Sequence, residues 1–237
     1  MEFISDMTVE LKAQAGSDLQ IVRAARVSVE GLDSPAGERE DPDDQAGLIR
    51  YLMKHRHASP FEHGMMTVFV HAPIFVLREM MRHRWLSFNE ESARYKKLEP
   101  VFWIPRQDRK MIPVEGFKSA RPEFSVASKE QWQYACDYID MSCASAYKKY
   151  EWMIADGIAR EVARVILPVG IYSSAWVTGN PRAWMSFLSL RTVDGRAATT
   201  SYPQSEIQEV ATKIEVCFAV NFPITYDAWN ANGRQAI

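Results

Sequence analysis

The amino-acid sequence predicts an α+β fold in a single domain over residues 1–237, with a mixed or antiparallel sheet and long flanking helices. Three observations predict it. Apolar residues recur at helical spacing in several windows, they alternate or run on in shorter ones, and no repeat, low-complexity tract or linker divides the 237 residues. Alternation at Met7, Val9, Leu11 and Ala13 predicts an opening strand, and Ser17 with Gln20 in capping-box spacing starts a helix. Residues 31–47 lack periodicity and are expected to form an exposed acidic loop. Leu48, Ile49, Leu52 and Met53 give the next helix its apolar face, and Ser59-Pro60 is expected to end it. Met65 to His71 is β-like. Pro73 suits the first position of a helix carrying Phe75, Val76 and Met80, with Arg82-His83-Arg84 near its C-terminal end, where cations complement the dipole.

Ser128 and Gln131 form a second capping box, heading a long helix whose apolar seam passes through Trp132, Cys136, Ile139, Cys143, Ala146, Tyr150 and Met153 to a stop at Gly157. A short helix through Arg160, Glu161 and Arg164 ends before Pro168, and Ile171 to Val177 is a plausible strand. Asn180-Pro181 is a cap followed by proline at the first helical position, predicting a helix to Leu190. A last long helix from about Pro203 places Ile207, Val210, Ile214 and Cys217 on one face and closes before Pro223.

Composition narrows the class. With 47% apolar and 24% charged residues the chain buries a sizeable core, and no run of about 18 uncharged apolar residues suggests a membrane span. Glu2 and Asp6 stand where a signal peptide carries cations, so a cytoplasmic protein is expected, with no membrane partner. Three dispersed cysteines are too few for a disulfide framework or a Cys-based zinc site. Of 28 basic residues 18 are Arg, the side chain suited to bidentate anion contacts. The net charge of −2 conceals −5 in the segment from Asp33 to Asp44, leaving the rest at +3. That remainder is too weakly basic to favour a nucleic-acid-binding domain, and no nucleic acid partner is expected.

All five histidines lie between His55 and His83. A metal site at His55, His57 and His63 is weighed and set aside, because alternate residues point apart and no carboxylate stands at ligand spacing; no metal is expected. The richest stretch runs Arg82-His83-Arg84-Trp85-Leu86-Ser87-Phe88-Asn89-Glu90-Glu91-Ser92-Ala93-Arg94-Tyr95. So many polar groups make poor core, and good material for a site on a loop at a helix end. A solvated basic turn is the competing interpretation.

Arg82-His83-Arg84, seven residues, then Ser92 resembles the signature of the flavin-dependent thymidylate synthases. The chain is also similar to that family at Arg23-Ala24-Ala25-Arg26-Val27-Ser28, His57 to His63, Ala72 to Phe75, Arg160 to Arg164 with Leu167-Pro168, and Asn180 to Arg191. The resemblance implies that family's fold and reductive methylation of dUMP to dTMP, with 5,10-methylenetetrahydrofolate as carbon donor and FAD, reduced by NADPH, as hydride source. It implies a homotetramer with shared active sites. It implies FAD contacts from Ser59, Arg82, His83, Arg84, Glu90, Asn180 and Arg182, with His57 near the flavin ring and Ser186 at a flavin-facing position. It implies dUMP contacts from Arg82, Glu90, Glu91, Ser92, Ala93, Arg94, Arg164 and Arg191, with Glu79 beside the nucleotide. Arg191 matches the residue that favours ionisation at N3 of uracil.

The chemistry of the residues agrees. C5 of uracil is a weak nucleophile, activated either by a thiolate at C6 or by stabilising negative charge on the ring. Cys136, Cys143 and Cys217 fall on apolar helix faces, where burial suppresses a thiolate. An arginine at Arg191 supplies a fixed cation that does not act as a base. Ser92, lacking a triad partner in the sequence pattern, is read as a hydrogen-bond donor to phosphate rather than a nucleophile. Arg164 alone would read as a surface salt-bridge partner of its own helix, and Glu62 and His63 as a mutually satisfied pair. Glu79 replaces a frequent Gln, Ser186 a larger polar residue, and residues 192–205 form an enlarged loop lacking the usual Ser-x-His-Ala run. A flavin- or nucleotide-binding homologue with altered or lost methylation is therefore the alternative function.

Overall fold

The structure, a computed structural model, describes residues 1–30, 41–116 and 122–237. The strands are β1 (Glu2–Ile4), β2 (Thr8–Ala15), β3 (Met65–Pro73), β4 (Ser87–Glu90), β5 (Val101–Trp103), β6 (Lys110–Pro113), β7 (Phe124–Val126) and β8 (Tyr172–Gly179). The helices are α1 (Asp18–Glu30), α2 (Pro42–Lys54), α3 (Ile74–Met80), α4 (Lys129–Ala155), α5 (Arg160–Ala163), α6 (Pro181–Arg191), α7 (Ser205–Asn221) and α8 (Pro223–Ala231). A four-stranded sheet has the order β2-β3-β8-β4; β1 pairs in parallel with β5, and β6 pairs antiparallel with β7. Helices together with a four-stranded sheet and two two-stranded sheets, one parallel and one antiparallel, give the α+β class.

The chain forms two compact units. One comprises Met1–Thr8, His71–Glu79 and Asn89–Ala175; the other comprises Val9–Val70, Met80–Phe88 and Trp176–Ile237. The first is organised by α4, whose Ser128 capping box is complete in both directions. Cys143, Tyr147 and Tyr150 from its seam pack with Leu98, Phe102 and Ile171. The second unit packs α6 against α7, and α8 against α2 and α7, around buried Trp184, Phe187, Phe218, Phe222 and Trp229.

Several expectations are corrected. Pro42 to Gly47 is not loop but the opening of α2: Asp41 accepts from the Asp43 amide, Pro42 sits at the first position, and Asp43 and Asp44 meet the positive helix end. Residues 31–40 lie outside the described residues. α2 stops at Lys54 instead of Ser59-Pro60, because Arg56 takes a left-handed φ of 57° and Ser59–Glu62 forms a separate 3-10 turn. α3 ends at Met80, so Arg82-His83-Arg84 occupies the turn beyond it, and Ser87 to Glu90 is strand where loop was expected. Cys217 is only half-buried, unlike Cys136 and Cys143. Short strands β1, β5, β6 and β7 and helix α8 carry no pattern long enough to be read beforehand.

Candidate active site

In the second unit, the turn after α3 and the helix α6 bring the sequence motif to Arg191. Asn180 has extended backbone and its side chain accepts from the Ala183 amide, so α6 begins where Pro181 requires. Ala183, Trp184, Met185, Phe187 and Leu188 are buried, which leaves Arg182 and Ser186, one turn apart, on the less buried face. At the C-terminal end, Arg191 Nε donates to His83 Nε2 at 3.0 Å, and the His83 ring meets Phe187 edge-on with centroids 4.9 Å apart. Burial, and secondarily the Arg191 cation, pull the His83 pKa down to about 4. At neutral pH the imidazole is therefore the acceptor, and it orients the guanidinium without offsetting its charge.

Arg182 is fixed at the other end of α6. It donates from Nε to the Ile237 carbonyl at 2.8 Å, pairs with Glu62, and lies 4.7 Å from the centroid of Trp85. Glu62 thus partners Arg182, not His63. Arg82 and Arg84 are exposed and, among the described residues, form no ion pair. Ser59 opens the 3-10 turn and is exposed, as is His57, whose ring shares an aromatic cluster with His55 and Tyr51. Among the described residues no group of three or more His, Cys, Asp or Glu could hold a metal ion.

The first unit holds Glu79, Glu90, Glu91, Ser92, Ala93, Arg94 and Arg164. The Glu91 amide donates to the Ser174 carbonyl at 2.9 Å, and its carboxylate meets Lys96 at 2.8 Å. Ser92 opens a tight turn: its carbonyl accepts from the Tyr95 amide at 3.0 Å and its Oγ from the Arg94 amide at 3.3 Å. Ala93 is buried in the core, so only its backbone can face a ligand. Arg94 Nε meets Glu161 at 2.9 Å, and Arg160 donates to the Tyr95 carbonyl at 3.2 Å. Glu161 is thereby committed to Arg94, and Arg164 remains exposed at the end of α5, against the surface-pair interpretation of that arginine.

The cysteines are poor nucleophiles. Burial raises all three thiol pKa values, Cys143 to about 11. The sequence alone does not reveal Trp85 and Glu62 as partners of Arg182 or Glu161 as that of Arg94; Trp85, an indole inside the polar motif, is 58% exposed.

The arginines, hydroxyls and capped helix start around Arg82, Arg84, Ser59 and Asn180 suit the phosphates of a nucleotide, and the exposed Trp85 and His57 rings offer flat faces to a planar ring system. This donor set fits a flavin nucleotide. Comparison with known proteins agrees with that chemistry. A family model described as thymidylate synthase complementing protein matches residues 10–224. A flavin-dependent thymidylate synthase of Streptomyces avermitilis is 47% identical over 236 residues, covering 99% of this chain and 95% of the relative. One from Tropheryma whipplei is 44% identical over 234 residues, covering 99% and 96%. The crystal structure of a UMP/dUMP methylase, PolB from Streptomyces cacaoi, bound with 5-Br dUMP, superposes with a TM-score of 0.91 at 42% identity and covers both chains fully.

Proposed function

We propose, from the premise that this chain belongs to the flavin-dependent thymidylate synthase family, that it methylates dUMP to dTMP with 5,10-methylenetetrahydrofolate as carbon donor and FAD, reduced by NADPH, as hydride source. The observation that carries the proposal is Arg191, held at a helix end by a neutral histidine of the Arg82-His83-Arg84 motif. A guanidinium fixed in this way stabilises negative charge developing on N3 and O2 of uracil, which strengthens C5 as a nucleophile. No cysteine is suited to the thiolate alternative.

Bound flavin supplies the hydride that completes the methyl group. Ser59, Arg82, His83, Arg84, Glu90, Asn180 and Arg182 are proposed to hold it, with His57 and Ser186 at the ring. Arg82, Glu79, Glu90, Glu91, Ser92, the Ala93 backbone, Arg94, Arg164 and Arg191 are proposed to hold dUMP, with Ser92 donating to phosphate. A homotetramer with shared sites is proposed. Tyr134, Tyr138, Met141 and Trp152, at helical spacing on α4, are exposed opposite the buried seam and support self-association.

A second interpretation is favoured by the likeness to PolB, described as a UMP/dUMP methylase: UMP is accepted beside dUMP. The test is the purified protein's visible spectrum with turnover of its variants. Arg191→Ala is expected to keep flavin absorbance and lose dTMP formation, whereas Ser92→Ala keeps measurable turnover. Protein that cannot be reconstituted with FAD would overturn the proposal, and complete loss in the serine variant would restore Ser92 as nucleophile. Turnover of UMP by the wild type decides the second interpretation.

A further inference from the structure

Arg234 is a fully buried cation that the proposed chemistry does not use, its side chain 1% exposed. Its guanidinium is gripped on every side. Nη1 and Nη2 pair with the two carboxylate oxygens of Glu215 at 2.7 and 2.8 Å, Nη1 also donates to Asn230 Oδ1 at 2.7 Å, and the fork lies 4.3 Å from the centroid of Trp229. Glu215 is itself held by the Tyr226 hydroxyl at 2.7 Å. The backbone is strained to place Arg234 there: this residue takes a left-handed φ of 52°, following Gly233 at φ 75°, which a glycine adopts freely.

What Arg234 reaches is the segment after Arg191. Its Nη2 donates to Thr192 Oγ1 at 2.9 Å, and the same hydroxyl donates to the Leu188 carbonyl at 2.7 Å, so the proton and one lone pair of Thr192 are assigned. The Ala198 amide donates to the Gly233 carbonyl at 2.9 Å, and Arg234 Nη1 lies 3.5 Å from Asp194, whose pKa is held well below the carboxylate range chiefly by its hydrogen bond from Arg196. Arg191 is thus fixed through its side chain by His83 and, one residue on, through the backbone by Thr192 and the buried arginine.

We propose that Arg234, clamped by Glu215, is a positioning residue that acts through the Thr192 hydroxyl to hold the C-terminal end of α6, and with it the Arg191 guanidinium, in its working orientation. The positional claim concerns the chain alone; its kinetic consequence rests on the proposed role of Arg191 in uracil activation. A lysine is a poor replacement for Arg234, because it loses the two-nitrogen fork that grips both oxygens of Glu215 while reaching Asn230 and Thr192.

Thr192→Val removes the hydroxyl and keeps the volume, so it cuts the link while leaving the Arg234–Glu215 pair in place. It is compared with Thr192→Ser, which keeps the hydroxyl, by steady-state kinetics and by NMR titration of His83. The valine variant is expected to retain flavin, with kcat at least about tenfold lower and any rise in KM for dUMP smaller than the fall in kcat. Its His83 titration should move up from about 4, because the Arg191 cation no longer lies against the ring. The serine variant should match wild type in both readouts. A valine variant with wild-type kcat and an unmoved His83 titration overturns the proposal. If the wild type forms no dTMP, the reaction is wrong and the His83 titration alone decides the positional claim. Should Thr192→Val not accumulate as folded protein, Arg234→Lys carries the same test with the same two outcomes.

Discussion

His83 shows how much a single side chain carries in this site. Its ring fills space against Phe187 and its Nε2 accepts from Arg191, and the second of these requires the neutral form. The unfolded chain takes up a proton near the ordinary histidine value of about 6.5, while the folded chain resists until about 4. The depressed pKa therefore contributes stability that is complete above about 6.5 and is lost as pH falls through about 4. His83→Gln keeps an acceptor and removes the titration. Urea unfolding of both proteins at pH 7 and pH 4.5 should show wild type losing about 1–2 kcal/mol relative to the variant on acidification, the full linkage value being reduced by solvent screening of the partly exposed ring. A difference independent of pH would show that His83 does not titrate as its surroundings require. The motif around His83 was legible as residue types in a tight pattern, but its partner was not: 108 residues separate the ring from Arg191.

At the scale of elements, what local chemistry governs was readable and what distant chain supplies was not. The caps at Ser128 and Asn180 act on amides three residues away, so the starts of α4 and α6 follow from sequence alone. The start of α8 does not. No local side chain caps it; Asp18, near the start of α1, accepts from the Ile224 amide at 2.8 Å, the Thr225 amide at 3.0 Å and the Thr225 hydroxyl at 2.6 Å. A contact spanning 207 residues leaves no spacing signal. Asp18→Ala strands these buried donors and should destabilise the protein by about 2–3 kcal/mol, seen as a lower melting temperature with helix content retained at 25 °C. An unchanged melting temperature would mean that α8 finds other acceptors. The acidic segment teaches the same lesson in reverse: Asp41-Pro42-Asp43-Asp44 reads as polar loop by composition, yet each residue suits a helix start, and capping outweighs the missing apolar periodicity.

For the whole molecule, the two compact units divide the candidate residues. The motif turn, α6, Ser59 and His57 lie in one; Glu79, the Glu90 to Arg94 stretch and Arg164 lie in the other. Periodicity could not reveal that division, because each unit is assembled from separated stretches of chain, and resemblance to a family identifies residues without saying which unit carries them. Among the described residues no helix is long and apolar enough to cross a membrane. If the proposed homotetramer forms, light scattering should return four times the 27.1 kDa chain mass, and a monomer in solution would contradict sites shared among subunits. The central claim is that this chain transfers a carbon to C5 of the uracil in dUMP without a cysteine nucleophile. Tritium release from dUMP labelled at C5, measured with FAD, NADPH and methylenetetrahydrofolate, tests it most directly. Release that persists when all three cysteines are replaced by serine, and that disappears in Arg191→Ala, is the predicted result; flavin-loaded wild-type protein that releases no tritium would contradict it.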